Sequence, residues 1–197
     1  MSVIISKTID KNNDKRKAIM DASLKLFCEK GFQDTSTASI SQHASVATGT
    51  LFLYFESKES LVNELYLECK EGYADFIKQG IWDNLTFKTR LYHIWEKGLE
   101  WKRNNPEKLK FMMQFCTSPY ITKMTREKAL TSLSLLNEVV KKGIQAKEVS
   151  TSDEELLEAM ISGYLHSAAL FLVNNNTNRN FDKWKQEAFD FLWRGIH

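Results

Sequence analysis

The chain has 197 residues, enough for one sizeable domain or for a small domain joined to a larger one, and enough to bury a real core. Lys and Arg number 27 against 25 Asp and Glu, a net charge of +2, which excludes a broad positive field as the means of holding a polyanion. With 43% apolar residues but only 8 Gly and 2 Pro, turn-makers are scarce, and long uninterrupted runs point to an all-α chain of about nine helices.

Residues 1–14 are polar and irregular and read as a flexible arm. From Lys15 a helical period sets in, with Ile19, Ala22, Leu26 and Phe27 on one stripe, and Gly31 ends it as a C′ residue. Asp34, Thr35 and Ser36 are candidate N-caps for a second helix. Two short helices come next, joined by a tight turn. Ile40 and Ala44 share a face of the first, Leu51 and Phe55 share a face of the second, and Val46 seals the turn. The other faces of the second helix carry Thr48, Thr50, Phe52, Leu53 and Tyr54. A small domain gains nothing by exposing Phe and Leu unless that surface meets something, and a short helix presented in this way suits the major groove of DNA. Ser57 then caps a long helix with Glu59 in its first turn, where it complements the helix dipole. Leu61, Leu65, Cys69 and Tyr73 repeat every four residues and carry that helix to Gln79. The expected organisation is a helix-turn-helix domain over 15–57, a linking helix over 58–79 and a second body over 80–197.

In the second body Leu91, Ile94 or Trp95, Gly98 and Trp101 mark one helix. Asn105-Pro106 reads as N-cap and N1 of another, filled by Phe111, Met112, Phe115 and Cys116 before Pro119. Met124 to Lys147 is expected as one helix, with Leu133, Leu136, Val140 and Ile144 inward. Ser152-Asp153-Glu154-Glu155 opens the next, whose apolar residues come in adjacent pairs: Leu156/Leu157, Met160/Ile161, Tyr164/Leu165, Ala168/Ala169. Pairs repeating every four residues make a stripe wider than one partner needs. One flank suits its own body and the other a second copy of the chain. Asn174 to Asn180 reads as a polar loop, and Phe181, Trp184, Ala188, Phe191 and Leu192 form the last helix. Leu156, Met160, Tyr164, Trp184, Ala188 and Phe191 are the candidate dimer contacts.

The segment Ile40-Ser41, Ala44-Ser45-Val46-Ala47, Gly49, Leu51-Phe52, Tyr54-Phe55, Lys58-Glu59 and Leu61 resembles the helix-turn-helix of TetR-family transcriptional regulators. The likeness runs from about Lys15 to Tyr66. Its pattern is specific because the Tyr-Phe-x-x-Lys-Glu-x-Leu tail lies in register with the turn. Three positions depart: Ser45 stands where the family has its turn glycine, Phe52 where it has Tyr, and Ala38 where some members carry Arg. Beyond residue 70 only the number and length of the helices are similar. The resemblance implies a homodimeric repressor released from double-stranded operator DNA by a small-molecule effector. It implies phosphate contacts by Lys58, Thr37 and Tyr54. Thr48, Gly49 and Thr50 are small enough to bring the backbone close to the duplex, and Phe52 and Leu53 offer apolar contacts to thymine or sugar.

A ligand cavity is expected between helices of the second body, walled by Trp95, Trp101, Phe111, Met112, Phe115 and Tyr120, with His166 as a polar group; the inducer expected there is apolar or aromatic. A helical enzyme and a helical adaptor that has lost DNA binding are the competing readings. Against the enzyme, the sequence has no Gly-rich phosphate loop, no His-Glu-x-x-His and no nucleophile beside a base. No cofactor is implied, and His43, His93, His166 and His197 share no metal spacing. Cys28, Cys69 and Cys116 match no zinc or redox spacing and read as reduced, buried thiols of a cytoplasmic protein. The opening Met1-Ser2-Val3-Ile4-Ile5-Ser6-Lys7 is too short and polar for a signal peptide, and no apolar run approaches the ~20 residues of a membrane span.

Overall fold

The computed structural model describes residues 2–80, 85–132, 134–174 and 180–197. Among these residues there are ten helices and no strand: α1 (Ser2–Lys30), α2 (Thr37–His43), α3 (Thr48–Tyr54), α4 (Lys58–Lys78), α5 (Phe87–Asn104), α6 (Pro106–Phe115), α7 (Lys123–Ser132), α8 (Ser134–Gln145), α9 (Glu154–Asn174) and α10 (Phe181–Ile196). No helix among them is long and apolar enough to cross a membrane. The chain divides into two compact units, Met1–Cys69 with Glu107–Lys128, and Lys70–Pro106 with Ala129–His197. The divisions fall inside α4 and inside α7, and α6 past its Pro106 belongs to the first unit.

In the first unit α1 starts at Ser2 and not at Lys15. The expected arm holds neither Gly nor Pro, so nothing in it stops the helix. Ile19, Met20, Leu26 and Phe27 are buried on its inner stripe, and the buried Ser23 hydroxyl donates to the Ile19 carbonyl at 2.7 Å. Gly31 ends the helix at φ +76° and donates its N–H to the Phe27 carbonyl, a left-handed cap that a side chain resists. Ile40, Leu51 and Phe55 pack α2 and α3 with essentially no exposure. Arg16 ties α1 to α4, donating to Glu64 at 3.0 Å and Glu68 at 3.1 Å.

In the second unit α5, α8, α9 and α10 share a core of Leu91, Trp95, Val139, Leu157, Ile161, Phe189 and Leu192. Two glycines on this core permit close approach. A Cβ on Gly98 would meet the Tyr73 hydroxyl at 2.9 Å, and one on Gly143 would lie 2.6 Å from the Phe87 ring.

Several boundaries differ from the sequence reading. Pro106 is the first residue of α6, as its fixed φ favours. Asn105, expected to cap that helix, instead donates its side-chain amide to the Trp101 carbonyl and closes α5. The helix expected over 124–147 is described as α7 and α8, on either side of residue 133. Its Leu133 lies outside the described residues, as do 175–179 of the expected polar loop. Ser57 and Asp153 cap α4 and α9 as expected, accepting from the N–H of Ser60 and of Leu156. Cys28 and Cys69 are buried and form no disulfide, and burial pushes the Cys28 thiol up to about 11. Cys116 is exposed, contrary to expectation, because it follows the last turn of α6.

Candidate nucleic-acid interface

The helix-turn-helix is built from its caps inward. The Ser36 hydroxyl accepts the Ser39 N–H at 3.1 Å and starts α2. At the other end Ala44, Ser45 and Val46 return their N–H groups to the carbonyls of Ile40, Gln42 and Ser41. This closure needs a left-handed residue, and Ser45 supplies it at φ +54° in place of the family's glycine. Ala44 and Val46 are only half-buried, so Ile40, Leu51 and Phe55 hold the motif. With Leu51 fixed at 0% exposure, the opposite side of α3 points outward: Leu53 is 83% exposed and Phe52 48%. Thr48 and Gly49 are exposed beside them, Thr50 and Tyr54 half-exposed, and Thr37 lies half-exposed at the start of α2. These seven residues therefore reach the surface of one small motif.

Lys58 lies at the start of α4, and in the chain alone its ammonium is engaged within the protein. Its ammonium donates to the Phe32 carbonyl at 2.8 Å and the Thr35 carbonyl at 2.9 Å, and lies 4.2 Å from the centre of the Phe32 ring. Two of its three donors are thus spent on the turn between α1 and α2. The side chain braces the head, and the sequence pattern alone did not reveal this.

Four of the expected cavity residues belong to the same unit. Phe111 and Phe115 pack on Phe27, with ring centres 6.3 and 5.8 Å away, and Met112 is buried with them. Tyr120 stacks on Phe32 at 3.9 Å and its hydroxyl takes the Gln33 amide. Asn63 of α4 donates to the Tyr120 carbonyl at 2.8 Å and accepts the Thr122 N–H at 2.9 Å. The hydrophobic run was legible, but not which body it packs against.

The second unit holds Trp95, Trp101 and His166. Trp95 is core: its indole N–H donates to the Lys185 carbonyl and its ring stacks on Tyr164 at 5.4 Å. Trp101 meets Tyr73 edge-on at 5.2 Å. Half-buried His166 is held below its ordinary pKa by burial and by the charges of Lys102 and Lys70. Lys102, which sequence reasoning missed, is 7% exposed on α5 and lies over the Tyr73 ring. Its signal was present: Leu91, Trp95, Gly98 and Lys102 fall at helical spacing, a lysine on an apolar stripe.

The candidate dimer contacts form one face of α9 and α10. Leu156, Met160 and Phe191 are 50%, 54% and 67% exposed, although Leu157 and Ile161 beside them are buried. Tyr164 stacks on Phe191 and donates its hydroxyl to the Ala188 carbonyl, while Trp184 stacks on Phe171.

Residues 19–65 match the family described as bacterial regulatory proteins, tetR family. A crystal structure from Shewanella sp. PV-4, assigned to the TetR family of transcription regulators, is 30% identical over 92% of this chain and 97% of its own, with a TM-score of 0.84. The chain belongs to the TetR family. The match covers the helix-turn-helix just described and, in the Shewanella structure, the helical body as well, so this TetR-family chain is a DNA-binding transcriptional regulator. It is also similar to the fatty acid metabolism regulator protein of Bacillus subtilis, 24% identical over 91% of this chain and 94% of that protein. The structure of FadR from Bacillus subtilis in complex with stearoyl-CoA is alike in fold, with a TM-score of 0.75 at 22% identity over 92% of this chain and 99% of that one.

Proposed function

We propose that this regulator is a homodimeric repressor that presents α3 of each copy to successive major grooves of its operator, and that an effector with a long apolar part, held in the second unit, releases it. The observation that carries the DNA part is the orientation of α3. Leu51 is wholly buried while Phe52 and Leu53 on the same helix stand in solvent, an arrangement that costs apolar exposure for no gain within the fold. Thr37, Thr48, Gly49, Thr50, Phe52, Leu53 and Tyr54 are the proposed contacts, together with the backbone N–H groups at the start of α4. The dimer part rests on the exposed apolar face of Leu156, Met160 and Phe191, which a second copy covers by twofold symmetry. Two recognition helices then stand roughly 34–36 Å apart, one turn of DNA. The effector part is supported by the similarity to a fatty acid metabolism regulator along nearly the whole length of both chains.

Titration of fluorescent DNA from upstream of the protein's own gene at several salt concentrations tests the reading. The expected result is saturable binding whose affinity falls steeply with salt and which Leu53→Asp abolishes, because a carboxylate there faces the phosphate backbone. Equal binding by wild type and Leu53→Asp removes α3 from the interface.

A further inference from the structure

The second unit buries two lysines, and they are treated in opposite ways. Lys185 of α10 meets the carboxylates of Glu96 and Asp182, and these partners hold its pKa up against the burial that lowers it. Lys102 of α5 has no hydrogen-bond or carboxylate partner among the described residues. Its ammonium lies 5.5 Å from the Tyr73 ring centre. The charges that act on it and around it are of its own sign: Lys70 of α4 and, when protonated, His166 of α9. Burial first, then Lys70, brings the Lys102 ammonium down to about 7. Burying an ammonium without a counter-ion is unfavourable, because the desolvation it suffers is not offset by a partner charge. A methionine or leucine at position 102 would complete the stripe of Leu91, Trp95 and Gly98 without that cost. The arrangement makes sense if the missing negative charge arrives from outside.

We propose that Lys102, with Lys70 and His166, is the seat for an anionic group, a carboxylate or phosphate, carried by an apolar chain. This rests on the reading of the second unit as the effector-holding part. The aromatic pair Tyr73 and Trp101 supplies the apolar flank, and Gly98 lets the Tyr73 hydroxyl approach α5 closely. Tyr73 itself stays neutral, since burial raises its pKa well above the ordinary tyrosine value. With the Lys102 pKa held down to about 7, a bound anion favours its ammonium, and binding near pH 8 takes up a proton.

Isothermal titration of the full chain at pH 8, in two buffers of different ionisation enthalpy, reads both effects. The probes are stearate, stearoyl-CoA, free coenzyme A and uncharged methyl stearate. Stearate or stearoyl-CoA is expected to bind at least about tenfold more tightly than the ester, with net proton uptake. Lys102→Met is expected to erase both the preference and the uptake. Stearate alone showing the effect assigns the seat to a carboxylate; stearoyl-CoA alone assigns it to phosphate. The site is overturned if no probe binds, if the wild type does not distinguish acid from ester, or if Lys102→Met binds the acid as tightly and with the same uptake.

Folding of the variant is read independently. Lys102 in the folded chain titrates near 7 against an ordinary 10.5, so the unfolded chain binds more protons between those values and wild-type stability climbs across that window. The thermal midpoint of Lys102→Met should exceed that of wild type at pH 6 and converge with it toward pH 10; a variant less stable at pH 6 rejects the unpaired charge. Operator release, followed by fluorescence anisotropy, separates the two claims. Release by an acyl ligand with equal potency on Lys102→Met leaves the effector reading standing without this seat. Lys102-dependent binding without any release leaves the seat without the effector reading.

Discussion

Lys58, a side chain that the family pattern places at the DNA, is tied into the protein in the chain alone. Its ammonium bridges the Phe32 and Thr35 carbonyls in the turn beyond Gly31. Charge-assisted hydrogen bonds of this kind are worth about 1.5–3 kcal/mol each when buried and less when half-exposed, as here. Lys58→Met should therefore lower the unfolding free energy by roughly 1–2 kcal/mol in urea titrations. The slope of log affinity against log salt should be unchanged, whereas loss of a phosphate contact flattens it by about one. An unchanged stability with a flatter slope would put the ammonium on a phosphate. Nothing in the spacing of residues distinguishes these fates, because both need a lysine at the start of α4. Ser45 is the contrary case. The turn calls for a left-handed residue at the family's glycine position, and the serine backbone adopts that conformation at φ +54°.

At the scale of elements, glycine marks where one helix needs space and another does not. Gly49 of α3 has nothing within 4 Å of a built Cβ, so Gly49→Ala adds only helix propensity, about 0.5–1 kcal/mol of stability. The same methyl stands on the face proposed to meet DNA and should weaken operator binding. Gly143 of α8 is the reverse: three atoms of the Phe87 ring lie within 3.0 Å of its Cβ position, and that ring is buried. Gly143→Ala forces the ring aside, at a cost of about 1–3 kcal/mol that outweighs the gain in propensity. Paired thermal melts check the opposite signs; two stabilised variants would show that α5 and α8 are loosely packed. The helices themselves were largely legible, because caps such as Ser36, Ser57 and Asp153 and the fixed φ of Pro106 act locally. The place of α6 was not. Phe111 and Phe115 satisfy any apolar surface, and only Phe27 in three dimensions decides which one.

For the whole molecule, the adjacent apolar pairs of α9 resolve into two faces with different fates. Leu157, Ile161 and Leu165 are buried within the second unit, and Leu156 and Met160, one residue back, are left in solvent with Phe191 of α10. Gly163 has nothing within 4 Å of its Cβ position and lies between Met160 and Ser167 on that outer face, which lets a second helix approach closely. Helix pairs from two chains meeting on this face would make a four-helix contact, and obligate interfaces of this type bury more than about 2,000 Å². In a twofold dimer every substitution counts twice. Met160→Arg places two unpaired guanidinium groups in the contact. At a discounted penalty of about 2 kcal/mol each, the dissociation constant should rise roughly a thousandfold. Because Met160 is exposed in the single chain, the variant should keep its helical content. Sedimentation velocity at micromolar concentration should show a wild-type dimer and a folded Met160→Arg monomer. That monomer should bind a palindromic operator far more weakly, since each recognition helix then engages its half-site alone and the gain from linking the two is lost. A wild-type monomer, or a Met160→Arg dimer with unaltered affinity, would place the contact elsewhere and leave Leu156, Met160 and Phe191 unexplained.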